Sequence, residues 1–72
     1  MKQHVFENSS QVKCIRYFDD KQILEVEYKT NKTYQYFNVP ETIYEAAMAA
    51  ESIGKYVNKY VKNEFKYQLL PF

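Results

Sequence analysis

Polar and apolar residues alternate cleanly through the segment ILEVEY, with Leu24, Val26 and Tyr28 on one side and Glu25 and Glu27 on the other. That period of two marks a half-buried strand. The preceding segment, SSQVKCIRYF, and the following one, KTYQYF, carry weaker versions of the same pattern: Ile15 and Tyr17 share a face, and so do Tyr34 and Tyr36. The intervening DDKQ and KTN read as turns. Past Pro40, a residue suited to the first turn of a helix, the period changes. ETIYEAAMAA sets Ile43, Ala46, Ala47 and Ala50 at the i, i+3, i+4, i+7 spacing of one helical face. ESIGKYVNKYVKNEFKY predicts a second helix with Ser52 as its N-cap and Ile53, Val57, Tyr60, Val61 and Phe65 as its apolar side. The pattern therefore predicts an α+β fold, a three-stranded antiparallel β-meander with two C-terminal α-helices packed on one face. One domain spans residues 1–72, with 1–8 as an N-terminal arm and 68–72, QLLPF, as an apolar tail expected to dock on the body.

The faces fix the strand registers. Closing DDKQ pairs Phe18 with Ile23, Tyr17 with Leu24 and Ile15 with Val26. A two-residue loop at Thr30-Asn31 would turn every side chain of the third strand to the wrong face. A three-residue loop, Lys29-Thr30-Asn31, instead pairs Val26 with Tyr34 and Leu24 with Tyr36. Such loops end in a left-handed residue, and Asn31 is the non-glycine type best suited to that. The helices should cover the face bearing Ile15, Tyr17, Leu24, Val26, Tyr28, Tyr34 and Tyr36. On the other face Arg16, Glu25 and Gln35 form a polar row, a cross-strand charge pair among them. Phe18, Ile23 and Phe37 form an apolar row that no helix is left to cover, and we expect it to act as a homo-oligomer interface.

Composition narrows the chemistry. With 72 residues the core is small, and a single Cys and a single His exclude internal disulfides and leave too few soft ligands for a zinc site. Packing of eight Tyr and five Phe, or self-association, must supply the stability instead. A lone thiol, no secretory leader in MKQHVFENSSQ and no apolar run of membrane-spanning length lead us to expect a cytoplasmic protein. The net charge of +1 does not decide for or against a polyanionic ligand.

The ordered set Ser10, Tyr17, Leu24, Val26, Tyr28, Tyr34-Gln35-Tyr36, Val39-Pro40, Ala50, Ser52, Gly54, Asn58 and Phe65 resembles the KTSC domain family, over Ser9 to about Tyr67. That family is named for the C-terminal extension of some lysyl-tRNA synthetases and also occurs as stand-alone bacterial proteins. Asn31 departs from the glycine usual there. The resemblance implies a three-strand, two-helix unit and an RNA-binding role.

The residues themselves offer two candidate sites, each with a plainer structural alternative. Tyr34 and Tyr36 either pack in the core, the better-supported reading, or lie far enough out to stack on bases. Ser52, Gly54 and Lys55 at a helix start could hold a phosphate, or Ser52 merely caps while Gly54 allows close helix packing. Lys55, Lys59, Lys62 and Lys66 form one stripe on a regular helix, a solvated face or a phosphate track. Arg16 is a further basic candidate on the sheet. No nucleophile, carboxylate pair or metal spacing appears, so no catalytic role and no cofactor are expected. Three functions follow as expectations: a non-catalytic RNA-binding module, an oligomer that sequesters a small signalling nucleotide, and a protein–protein adaptor working through the Phe18, Ile23, Phe37 row.

Overall fold

Both hairpins form in the expected registers in the computed structural model, which describes residues 1–70. β2 (Val12–Phe18) sets Ile15 against Val26 and Tyr17 against Leu24 of β3 (Ile23–Tyr28). β3 in turn sets Val26 against Tyr34 and Leu24 against Tyr36 of β4 (Thr33–Tyr36). The second hairpin closes as the face argument requires, with Asn31 at φ 66° and the Tyr28 N–H donating to the Lys32 carbonyl at 2.8 Å.

The sheet nevertheless has five strands rather than three. β1 (Lys2–Val5) adds to β2, and β5 (Tyr67–Leu70) adds to β4, giving the sequential antiparallel order β1-β2-β3-β4-β5. The expected arm over residues 1–8 is thus largely a strand, and the expected tail over 68–72 is a strand as far as Leu70. Its last two residues, 71 and 72, lie outside the described ones. β1 escapes a pattern search because all four of its residues are exposed. An edge strand of this kind is held through its backbone and carries no apolar alternation.

Two irregularities shape the helix-covered face. A bulge at Lys13 shifts the register between Val12 and Cys14. The extra residue turns Val12 into the core beside Ile15, where simple alternation would point it the other way. After α1 (Glu41–Ala49), the second helix runs as α2 (Ile53–Tyr56) and then widens into a π-helical turn over Val57–Val61. There the Lys62 N–H donates to the Val57 carbonyl at 2.8 Å. The helix ends there rather than at Tyr67: one further turn follows, in which the N–H groups of Glu64 and Phe65 both donate to the Val61 carbonyl, before β5 begins.

The core lies between the sheet and the helices, built from Val12, Ile15, Tyr17, Leu24, Val26 and Tyr36 below and Val39, Tyr44, Ala47, Ile53, Val57 and Val61 above. Tyr44, not Ala46, is the main contact of α1. Its ring stacks on Tyr17 at 5.3 Å with a 19° interplanar angle, while Ala46 is exposed. The Tyr17 hydroxyl donates to the Val39 carbonyl at 2.6 Å, so this buried phenol is satisfied. Tyr60, expected on the apolar side of the second helix, is exposed.

Candidate functional site

Tyr34 and Tyr36 are neither simply core nor simply surface. Tyr36 is only 2% exposed and Tyr34 is half-buried, yet both line a pocket of about 280 Å³. Tyr28 from the end of β3 and Tyr67 from β5 complete a four-ring cluster. Tyr34 meets Tyr28 and Tyr67 edge-on, each at 5.5 Å, and Tyr36 lies 5.8 Å from Tyr67. Thr30 and Lys32 from the β3–β4 turn, and Asn58 and Lys62 from the π-helical turn, supply the polar rim. The missing strand β5 is what makes the site: it carries Tyr67 into register with Tyr36 and walls off one side. Sequence reasoning left out Tyr67, Lys32 and Asn58. The absolute period of β4 pointed to Tyr34 and Tyr36, but nothing local to the sequence showed which strand would flank them.

Burial pushes the Tyr36 phenol well above its ordinary value, and the neighbouring Tyr28 hydroxyl adds to this. Burial also raises Tyr28, against the opposing effect of its contact with the Tyr36 hydroxyl. The core phenols Tyr17 and Tyr44 are raised by burial too. All four therefore stay neutral donors at physiological pH. The unfolded phenols titrate near 10.0 and the folded ones higher. The stability they contribute is complete below that pH and is lost as pH rises through the folded values. Thermal melts from pH 8 to 11.5 should show Tm falling steeply above about pH 10, and Tyr36→Phe should make the fall shallower.

The other candidates lie elsewhere. Ser52 caps its helix, its Oγ accepting from the Lys55 N–H at 3.3 Å. Gly54 is buried against Gln11, where an added Cβ would come within 2.7 Å of Oε1. The close approach that needs glycine is thus to the chain before β2, not to another helix. Lys55 and Lys59 are exposed on the same helix, with Lys59 Nζ 5.3 Å from the Tyr60 ring centre. The expected stripe does not persist, since Lys66 lies beyond the helix end. Of the lysines proposed from sequence, only Lys62 meets Tyr34 and Tyr36 in one pocket.

Arg16 is on the opposite face of the sheet and is already engaged. Its Nε donates to Glu25 at 2.9 Å, its Nη2 to Glu27 at 3.2 Å and its Nη1 to the Cys14 sulfur at 3.0 Å. Gln35 donates to the other Glu25 oxygen at 2.8 Å. Burial opposes ionisation of Glu27, but the Arg16 hydrogen bond and the Lys13 charge outweigh it and hold the carboxyl below its usual value. Burial raises the Cys14 thiol, against the nearby Arg16 charge. This face is a closed polar network with no cation left over from Arg16 for a phosphate. The expected interface row, Phe18, Ile23 and Phe37, flanks it, but each side chain is half-buried rather than laid open.

By contrast, among the described residues neither Lys32 nor Lys62 pairs with a carboxylate. The pocket thus combines aromatic walls with two uncommitted cations, chemistry that suits a flat aromatic ring joined to an anion.

The KTSC domain model matches residues 8–65 of the chain. A lysine–tRNA ligase of Nostoc sp. is 39% identical over 59 residues, which cover 82% of this chain and 10% of that one. The chain thus spans about a tenth of the length of such ligases. A protein of Tsukamurella paurometabola is 36% identical over 58 residues, covering 81% of this chain and 87% of that one. The crystal structure of a KTSC domain protein from Yersinia pestis superposes with a TM-score of 0.89 at 28% identity, over 97% of both chains.

Proposed function

The chain belongs to the KTSC domain family, and on that premise we propose that it is a non-catalytic module that binds single-stranded RNA through the tyrosine pocket. One unpaired base enters the pocket and lies against the tyrosine rings that line it, and the adjoining phosphates meet Lys32 and Lys62 at the rim. The observation that carries this reading is the convergence on one pocket of Tyr28, Tyr34, Tyr36 and Tyr67 with two lysines that pair with no carboxylate among the described residues. Single-stranded RNA offers splayed bases that stack on aromatic side chains, whereas a duplex keeps its bases stacked on one another. The volume of about 280 Å³ suits one base rather than a run of them. The similarity to a tenth of several lysine–tRNA ligases agrees with an RNA partner.

Fluorescence polarisation with a labelled, unstructured ten-nucleotide RNA tests the proposal. Two phosphate contacts predict that affinity falls about 7-fold between 50 and 200 mM salt. Lys32→Ala combined with Lys62→Ala should flatten that dependence and weaken binding at low salt. Both lysines are exposed, so the double variant should fold. Tighter binding of duplex than of single-stranded RNA would reject the pocket as the site. A free nucleotide that binds as tightly as the ten-mer would favour nucleotide sequestration instead.

A further inference from the structure

Stacking on tyrosine does not choose among bases, because every base has a π-face. Selectivity at this pocket has to come from its polar groups. Lys32 and Lys62 are point charges suited to phosphate. Asn58 differs: its carboxamide presents a donor and an acceptor side by side in one plane. It lines the pocket at the start of the π-helical turn, and Lys62 follows just past the end of that turn. Wide turns of this kind recur where a helix sets functional side chains. Among the described residues the Asn58 side chain takes part in no hydrogen bond, whereas Gln35 on the opposite face of the sheet is tied to Glu25. Asn58 is also exposed, so no packing demand accounts for it.

Resting on the RNA-binding reading, we propose that the pocket selects adenine and that Asn58 reads the base. Adenine offers an N6 amino donor beside the N7 acceptor, which an asparagine amide matches with two hydrogen bonds. Guanine offers two acceptors along the same edge and leaves the amide oxygen facing an acceptor, unmatched. Uracil and cytosine present less ring to the four tyrosines. Thr30 and the tyrosines of the pocket carry hydroxyls that can donate or accept, and so do not discriminate by themselves.

Competition of AMP, GMP, CMP and UMP against the labelled ten-mer tests this at constant salt. AMP should compete about ten-fold better than UMP or GMP, within the range one two-bond base contact supports. Asn58→Ala should bring the four nucleotides to within about two-fold of one another while RNA still binds. A purely structural role for Asn58 would instead weaken all four equally and keep their order. If the parent protein takes all four equally, or prefers GMP, adenine selection is wrong and RNA binding stands. If Asn58→Ala keeps the adenine preference, another group reads the base. If the ten-mer does not bind the parent at all, this inference falls together with the reading beneath it.

Discussion

Tyr17→Ala should leave most of the chain unfolded at 25 °C. The ring is 1% exposed, stacks on Tyr44 at 5.3 Å and joins the sheet to α1. Truncating a buried aromatic to alanine costs about 3–5 kcal/mol. The Val39 carbonyl then also loses its buried donor, 2.6 Å away in the native protein, which adds about 1–3 kcal/mol. Small domains sit at the low end of the ordinary 5–15 kcal/mol range of stability, so the two losses together consume most of it. Tyr17→Phe keeps the ring and gives up only the hydrogen bond, a smaller loss. Urea denaturation followed by circular dichroism separates the three proteins. An alanine variant that unfolds at the parent's urea concentration would mean that Tyr17 does not bridge sheet and helix as described.

Tyr34→Ala should act mainly on binding. Its ring is half-buried and sits at the centre of the cluster, with Tyr28 and Tyr67 edge-on to it and Tyr36 6.3 Å away. Losing one base–aromatic stack costs about 1–3 kcal/mol, a weakening of roughly 5- to 150-fold in RNA affinity. Tyr34→Phe should bind nearly as the parent does, because the π-face remains. Arg16→Ala makes the opposing control. It strips Glu25 and Glu27 of their main partner and should lower stability while leaving RNA affinity unchanged. A loss of binding in Arg16→Ala with full binding in Tyr34→Ala would place the ligand on the other face of the sheet.

The central hairpins were legible because their side chains alternate and because a one-residue slip would have buried Glu25 and Glu27. Asn31 was legible because few residue types accept its backbone conformation. β1 was not, since Lys2 to Val5 are all exposed and enter the sheet through backbone pairing rather than a buried apolar face. β5 was hidden by the helical spacing of Tyr60, Val61 and Phe65, which continues past the point where the chain leaves the helix. The π-helical turn has no signature in residue type, and it decides that Asn58 and Lys62 line the pocket while Lys66 falls outside the helix. For the site, Tyr34 and Tyr36 followed from their shared face, and Lys62 from its basic stripe. Tyr67, Lys32 and Asn58 could join them only once β5 and the wide turn were in place. At Gly54 the sequence did not show the tertiary neighbour: Gln11, distant in sequence, packs over that backbone.

Backbone amide NMR of the labelled protein, titrated with the unstructured ten-nucleotide RNA, tests the central claim most directly. The account predicts saturable shifts at Thr30, Lys32, Tyr34, Asn58, Lys62 and Tyr67, which lie on three separate stretches of chain and come together around the pocket. Shifts confined to Gly54 and Lys55, or to Arg16, Glu25 and Gln35 on the opposite face, would contradict it.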